Sequence, residues 1–268
     1  MAIRIIEDVT DILREAAAEA ILPRFRRLSE KDIEEKAPGD LVTAADRHAE
    51  TYITERLRKL DPQARIVGEE ACAAAPSLAT GLDQGTIFVL DPLDGTGNFA
   101  AGRMPFAIMA ALLREGEIIA AWILDPLSNQ LCTAEQGSGA FIDGRRLKAT
   151  PREAGPLRGS ISTRFMPPDM REALEPRLTA LLPDRLEPFL CAGAEYPALA
   201  KGERDFATFW RSLPWDHLPG TLFLREAGGH VARFDGTPYR AGQDGKGLIA
   251  AHSFELWQEA RGLLIPNF

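Results

Sequence analysis

Cysteine is scarce. Cys72, Cys132 and Cys191 are the only three in 268 residues, widely spaced and odd in number. That excludes a disulfide framework as the organising principle and points to a reducing compartment. No CxxC pair occurs, which removes the usual zinc ribbons. No run reaches the ~18 apolar residues of a membrane span. The first residues interleave Glu7, Asp8, Asp11 and Glu15 with apolar side chains, unlike the basic start and unbroken apolar stretch of a secretory signal. Positive charge is also short: 31 Lys and Arg stand against 39 Asp and Glu, a net charge of -8. A nucleic-acid surface needs a basic stripe, which this balance argues against. A phosphorylated substrate remains compatible, because bound metal ions reverse the local sign of a site. The expectation is a soluble cytoplasmic protein with no membrane and no nucleic-acid partner.

What is present is an ordinary globular composition, 45% hydrophobic and 26% charged. The length suits one large domain or two small ones. Ile5, Ile6, Val9, Ile12, Leu13, Ala16 and Ala20 recur at helical spacing and predict a first helix over 5–25. A polar loop broken at Pro38-Gly39 follows. Ala45, Ala49, Tyr52, Ile53, Leu57 and Leu60 mark a second helix, stopped by Asp61-Pro62. Short strands are expected at 65–67 and 86–90, the second ending abruptly at Asp91-Pro92. Strands at 106–113, 118–124, 130–134 and 139–142, separated by turns such as Glu115-Gly116 and Asp143-Gly144, read as an antiparallel meander.

The second half alternates. Strands are expected at 160–162, 186–190, 230–234 and 248–251, and helices at 169–181, 194–200 and 216–227. Gly228-Gly229 closes the last of these, and Ser253 caps a final helix through Leu264. The pattern predicts the α/β class, a layered α+β sandwich in which helix and sheet layers alternate. The best boundary is 151–156, between an N-terminal half, 1–150, and a C-terminal half, 151–268.

The richest segment is D-P-L-D-G-T-G-N-F, Asp91 to Phe99. Two carboxylates flank a proline directly after a hydrophobic strand. Pro92 stiffens the chain, so both acids leave the strand end in a fixed relation. Gly95 and Gly97 clear side chains where a ligand could approach the backbone. Hard cations want several carboxylate and carbonyl oxygens in one place, and exposed backbone N–H groups beside them suit a phosphate. A lone Asp-Gly-Thr would more often be a simple turn; the doubled Asp, the Pro and the second Gly lower that reading. Three weaker signals have bland explanations when taken singly. Glu69-Glu70 reads as a solvated turn. Asp216 after Pro214-Trp215 reads as a helix N-cap. Thr43 and Asp46 have the spacing of a capping box.

Taken together, D-L-V-T-A-A-D at 40–46, G-E-E at 68–70, the nine-residue segment, and P-W-D at 214–216 with E-A-G-G at 226–229 resemble the inositol monophosphatase family. These are Mg²⁺-dependent, lithium-sensitive phosphatases related to fructose-1,6-bisphosphatase. The resemblance runs from the first helix to the last. It implies that family's layered fold, a homodimer, and hydrolysis of a small phosphate monoester such as inositol-1-phosphate or a similar polyol or sugar phosphate. It also implies roles. Glu69, Asp91 and the backbone carbonyl of Leu93 would hold one Mg²⁺, and Asp91, Asp94 and Asp216 a second. Thr96 and Asp46 would help Glu69 activate the attacking water. The amides of Gly95 and Thr96 would cradle the phosphate, Ala192, Phe209 and Asp216 would face the substrate, and Lys36 would lie near the active-site loop. Elementary electrostatics agrees, since four converging carboxylates without cations would each resist ionisation.

Three places depart from the pattern, one being His217-Leu218-Pro219-Gly220, where two small residues and then Gly usually follow Asp216. Phe209 stands where inositol-specific members carry a Glu that binds sugar hydroxyls, and Leu190 replaces a Gly. Pro219, in the 217–220 stretch, is expected in the first turn of its helix, where a missing N–H does no harm. His217 reads as a first-turn helix residue with no chemical role. Fructose-1,6-bisphosphatase, histidinol-phosphate phosphatase and 3′(2′),5′-bisphosphate nucleotidase activities share the same metal motifs. No added basic cluster is visible for a second phosphate. A regulatory binding protein on the same fold is the reading from a different class. The apolar surplus of the 106–142 meander adds a reason to expect a dimer interface.

Overall fold

The computed structural model describes residues 2–147, 152, 155–182, 184–243 and 245–264. The chain opens with α1 (Ala2–Ala16), which continues through a π-helical turn (Ala17–Ile21) into a 3₁₀ turn (Leu22–Arg24). The helix expected over 5–25 is thus one helical run whose last turns change pitch as it reaches Pro23, which has no N–H to donate. Strands β1 (Ile33–Ala37) and β2 (Asp40–Thr43) form an antiparallel hairpin. A polar loop was expected there. The hairpin is a two-stranded ribbon with little burial, so its strands lack the apolar alternation that would reveal them, and Pro38-Gly39 is its turn. Gly39 has φ +76°, a conformation that glycine adopts without strain. Helix α2 (Ala44–Leu60) follows, ending at Asp61 as expected.

The middle of the chain builds β3 (Arg65–Gly68), α3 (Glu69–Ala74), β4 (Thr86–Asp94), α4 (Thr96–Ala100) and then β5 (Ala107–Arg114), β6 (Glu117–Asp125), β7 (Gln130–Glu135), β8 (Gly139–Ile142) and β9 (Arg145–Arg146). These seven strands lie in sequence order in one sheet. Only β3 and β4 are parallel; the rest is the expected meander. The remainder is β10 (Gly159–Ile161), α5 (Pro168–Leu181), α6 (Ala192–Ala200), β11 (Phe206–Phe209), α7 (Pro214–Glu226), β12 (His230–Arg233), β13 (Leu248–Ala251) and α8 (Phe254–Leu264). Its strands form a second sheet in the order β10-β11-β13-β12.

Alternation along the strands assigns the layers. Phe88, Leu90 and Trp122 pack with Leu13 and Ile53 of α1 and α2, while Val89, Met109 and Ile123 face Tyr196 and Phe223 of α6 and α7. The far side of α6 and α7 meets Ala207, Leu248 and Ala250 of the second sheet, and the outer face of that sheet packs Phe206 and Ile249 on Leu178 and Trp257 of α5 and α8. The result is a helix–sheet–helix–sheet–helix sandwich, the layered α/β architecture expected. Trp122 Nε1 donates to the Ile6 carbonyl at 3.1 Å and pins the outer helices to the large sheet. Because both faces of β5 and β6 are covered by the chain's own helices, the meander's apolar surplus is spent inside the chain. It gives no support of its own to a dimer.

Four local expectations change. Only Leu186 of 186–190 pairs, in an isolated bridge to Ser160; Pro188 has no N–H for a ladder, and Leu190 turns out at φ +55°. Strand β11 was missed, four residues too short to show an alternating pattern. β4 runs past Asp91 to Asp94, with a slip in register between the two. Helix α7 starts at Pro214, so Pro219 falls in its second turn; there its ring removes the bond to the Trp215 carbonyl. Of the expected boundary, residues 151, 153 and 154 lie outside the described residues.

Candidate active site

The parallel pair β3–β4 sets the site. Gly68 lies opposite Leu90, so Glu69 and Asp91 stand side by side where the parallel pairing ends. Glu69 opens α3, whose first turn is held from behind by Glu50 of α2. The Glu50 carboxylate accepts the N–H groups of Glu70 and Ala71, both at 2.8 Å. Gly68 allows this approach, since a Cβ there would fall 2.4 Å from the Glu50 carboxyl carbon. Sequence reasoning passed over Glu50; an acid on the buried face of a predicted helix was the available signal. Replacing Glu50 with Ala should remove the cap, cost about 1 kcal/mol, and loosen Glu69. The Mg²⁺ concentration for half-maximal activity should rise several-fold, read from a metal titration with kcat near wild type at saturation.

The slip in β4 turns the motif into the cleft. Leu93 N–H donates to Asp91 Oδ1 at 2.9 Å. Gly95 adopts φ +84°, and a Cβ there would stand 3.0 Å from the Pro105 carbonyl oxygen. Thr96 opens α4. Its Oγ1 lies 2.9 Å from Asp46 Oδ1 and 2.9 Å from the Leu93 carbonyl. Asp46 Oδ2 accepts the Thr43 N–H at 2.9 Å and the Thr43 hydroxyl at 2.6 Å. The capping box and the contact with Thr96 therefore coexist, one on each carboxylate oxygen.

The second half closes the cleft with two helix starts. Gly193 N–H, in the first turn of α6, donates to Asp94 Oδ2 at 2.6 Å. A Cβ on Gly193 would reach within 2.5 Å of the Ala107 Cβ, so the approach requires glycine. Asp216 lies in the first turn of α7. Ligand oxygens of Glu69, Asp91 and Asp216 all lie within 4.8 Å of one another. Glu69, Asp91, Leu93, Asp94, Gly95, Thr96, Ala192, Phe209 and Asp216 line one cleft. Asp46 stands behind Thr96, outside it.

Burial raises the Asp91 and Asp216 carboxyls well above the usual range, and Glu69 and Asp94 add to this by repulsion. Asp94 is raised to about 6, again by burial first, with the Gly193 amide opposing. Lys36 bonds Glu69 Oε1 at 2.7 Å and Glu70 Oε1 at 2.8 Å. Burial works against the Lys36 charge, but the two carboxylates more than offset it and hold its pKa above the ordinary value. This cation covers one edge of the cluster only. The remaining acids form an all-oxygen donor set that a hard divalent cation fits.

A pH dependence follows. Asp94, raised to about 6, binds more protons in the folded state than in the unfolded chain between about pH 4 and pH 6, so its contribution to stability falls as pH rises through that window. A divalent cation competes for the same oxygens. The rise in Tm on adding Mg²⁺ should therefore grow from pH 4 to pH 7, as thermal melts in paired EDTA and Mg²⁺ buffers would show. An increment independent of pH would remove these acids from the binding site.

Two arginines were not foreseen. Arg211 Nη1 donates to Asp40 Oδ2 at 2.7 Å and its guanidinium lies 3.9 Å over the Phe165 ring. Arg164 Nη2 donates to the Gly39 carbonyl. They tie the tip of the β1–β2 hairpin to the second half across the cleft, and both line it. Neither sits in a motif, and the hairpin they hold was itself unread. His217 is more than a passive helix residue. Its Nδ1 is 3.0 Å from the Tyr196 hydroxyl and its Nε2 3.0 Å from the Arg211 carbonyl, so Nε2–H donates and Nδ1 accepts. Burial lowers its pKa to about 3, which keeps it neutral and fixes the backbone at Arg211. One stretch of the cleft lining is apolar: Phe209 packs 4.6 Å from the His217 ring and stacks 5.6 Å from Tyr196, and Leu190 stands 47% exposed at the rim.

The alternating sandwich and its acidic cleft define the class, a phosphatase acting at a layered α/β scaffold. A model of the inositol monophosphatase family matches residues 5–267, and the chain belongs to that family. It is 34% identical over 235 residues to an inositol-1-monophosphatase of Rhizobium meliloti, covering 84% of this chain and 85% of the relative. It is also 34% identical over 231 residues to the Nus factor SuhB of Pseudomonas aeruginosa, covering 83% of each. The crystal structure of the extragenic suppressor protein suhB from Bartonella henselae superposes with a TM-score of 0.80 at 27% identity, over 97% of this chain and 99% of that one. No helix among the described residues is long and apolar enough to cross a membrane.

Proposed function

We propose that this protein hydrolyses a small phosphate monoester with Mg²⁺, acting on inositol-1-phosphate or a similar polyol or sugar phosphate. The observation that carries the reading is the meeting of Glu69, Asp91 and Asp216 within 4.8 Å beside the Gly95–Thr96 turn. Glu69, Asp91 and the Leu93 carbonyl would hold one Mg²⁺, and Asp91, Asp94 and Asp216 another. When bound, these ions supply the charge that acidifies a water and steadies the departing alkoxide. The chain's own groups do the rest. The amides of Gly95 and Thr96 hold phosphate oxygens. Thr96 gives its hydroxyl proton to Asp46 and turns a lone pair toward the attacking water. Glu69 takes up the proton that this water loses. The N-terminal half, 1–150, supplies most of this machinery and 151–268 completes it with Ala192, Phe209 and Asp216.

The test is a panel of phosphomonoesters assayed with Mg²⁺, with EDTA, and with added Li⁺. Hydrolysis that needs Mg²⁺ and falls with Li⁺ is expected; no turnover of any member would overturn the reading and favour a regulatory role on this fold. Phe209 offers no acceptor to a sugar hydroxyl. A hydrogen bond to a charged group contributes about 1.5–3 kcal/mol, so KM for inositol-1-phosphate should lie roughly 10- to 100-fold above that of an enzyme with a carboxylate there.

Arg164 and Arg211 favour a second reading. They place positive charge at the cleft that the sequence did not reveal, and a bisphosphate such as fructose-1,6-bisphosphate would use it. A KM for that substrate well below those of the monophosphates would decide for it. We place the protein in the cytoplasm, where its three buried, unpaired cysteines would stay reduced. We also propose a two-fold homodimer, the commonest closed assembly, on the strength of the family resemblance.

A further inference from the structure

A second cavity lies behind β11. Thr208 and Trp210 line both it and the catalytic cleft, so one strand separates the two. Its volume is about 1110 Å³, ample for a small organic molecule. One wall is apolar, with Ile161 from β10, Met166 from the following loop, Met170 and Leu174 from α5, then Trp210 and Phe234. Arg177 of α5, Arg233 at the end of β12, and Arg240 and Lys246 from the segment between β12 and β13 also line it, against one acid among the described residues, Asp235. That acid is already engaged. Its Oδ1 accepts the Thr237 hydroxyl at 2.7 Å and the Thr237 N–H at 2.8 Å, and these bonds hold its carboxyl below the usual range.

Arg233 is the unusual member. It is 6% exposed, and its Nη2 donates to the Gln243 carbonyl at 2.8 Å. Its Nη1 is buried with no acceptor among the described residues. A buried charged donor left unpaired costs stability, and a small shift of the guanidinium toward an anion at this wall would relieve that cost. Gly245 keeps the flank clear, since a Cβ there would fall 2.4 Å from Nη1.

We propose that this cavity binds an amphipathic organic anion. Its apolar body would lie on the Met166–Leu174–Phe234 wall. Its head, a carboxylate or another oxyanion, would meet Arg233, with Arg240 and Lys246 at the mouth. The charge of the cavity selects against cations of the same shape. The proposal stands apart from the phosphatase reading, because no ligand of the metal cluster takes part.

The test uses the full chain with Mg²⁺ and calorimetric titration below micelle-forming concentrations. The probes are decanoate and decanesulfonate, with decyltrimethylammonium as the cationic control. One-to-one binding of at least one anion is expected, with the cation at least tenfold weaker. Binding of decanoate alone would mark a carboxylate site, and of both anions a general oxyanion site. Ala173→Glu, on an exposed position of α5 that lines the cavity, should weaken binding at least tenfold and leave turnover of p-nitrophenyl phosphate unchanged. Should that helix fail to fold by circular dichroism, the exposed pair Arg240→Glu/Lys246→Glu must give the same loss. Several results would overturn the proposal: no binding of either anion, equal binding of the cation, several equivalents bound alike by wild type and variants, or displacement by inositol-1-phosphate, which would place the probe in the catalytic cleft. Binding seen only after dilution to monomer would also overturn it, since a second copy of the chain would then cover the cavity.

Discussion

Asp91→Asn should abolish phosphatase activity and, in the same molecule, raise the melting temperature of the metal-free protein. Asp91 is shared between both proposed ion sites, so its loss removes an anionic donor from each. An effect of about 4 kcal/mol on the transition state corresponds to a factor on the order of 10³ in rate. The stability effect has the opposite sign. Asp91 is 2% exposed and faces Glu69, Asp94 and Asp216, so without cations its charge is desolvated and repelled. Asn keeps the oxygen that accepts the Leu93 N–H and carries no charge. Each kcal/mol gained should appear as roughly 2–4 °C in Tm for a chain of this size. Melts in EDTA should therefore rank the variant above wild type, while melts in excess Mg²⁺ reverse the order, since only wild type gains binding energy from the ion. A variant less stable than wild type in EDTA would mean that Asp91 serves the fold as a partnered acid and not a cation.

The distribution of what was legible in the sequence has a physical basis. Helices α1 and α2 and the meander were readable because their periodicity is set by a face that must be buried, and the sandwich buries those faces. The D-P-L-D-G-T-G-N-F segment was readable because Pro92 fixes the chain and Gly95 takes a left-handed conformation against the Pro105 carbonyl. Gly193, Glu50 and Arg211 were not. Each matters through a partner at least 20 residues away: Asp94 for Gly193, Glu70 for Glu50 and Asp40 for Arg211. A glycine or a loop arginine has no local pattern that announces such a partner, and an acid on the buried face of a helix announces that a partner exists without saying which. Strand β11 was lost for a related reason. Its four residues gain strand geometry from pairing with β10 and β13 on either side, a property of the sheet and not of the segment. The capping box was read correctly but as a rival to the catalytic assignment, and only the geometry shows that one oxygen of the carboxylate holds the cap and the other meets Thr96.

That double use makes Asp46→Asn the sharper experiment. Three donors meet Asp46: the N–H and hydroxyl of Thr43 at Oδ2 and the hydroxyl of Thr96 at Oδ1. Asn has one acceptor oxygen. Facing Thr43 with it satisfies two donors and keeps the cap, which Asn supports nearly as well as Asp; the expected loss of stability is under about 1 kcal/mol. The Asn amide then faces Thr96 as a donor. The Thr96 hydroxyl must send its proton to the Leu93 carbonyl at 2.9 Å, and the amide engages the lone pair that would otherwise meet the attacking water. The hydroxyl is reversed without moving a heavy atom. Losing one positioned acid–base group costs on the order of 10² in kcat. Protonation of Asp46 itself should do the same. Burial raises its pKa to about 7, against the pull of the Thr43 and Thr96 hydrogen bonds. The wild-type rate should therefore fall as pH drops through this range, and that limb should be missing from the Asn variant. If Thr96 and Asp46 act as one unit, the double change with Thr96→Val should cost little more than either change alone. A variant with wild-type kcat, an unchanged pH profile and an unchanged Tm would leave Asp46 as a helix cap and move the activation of water to Glu69 alone.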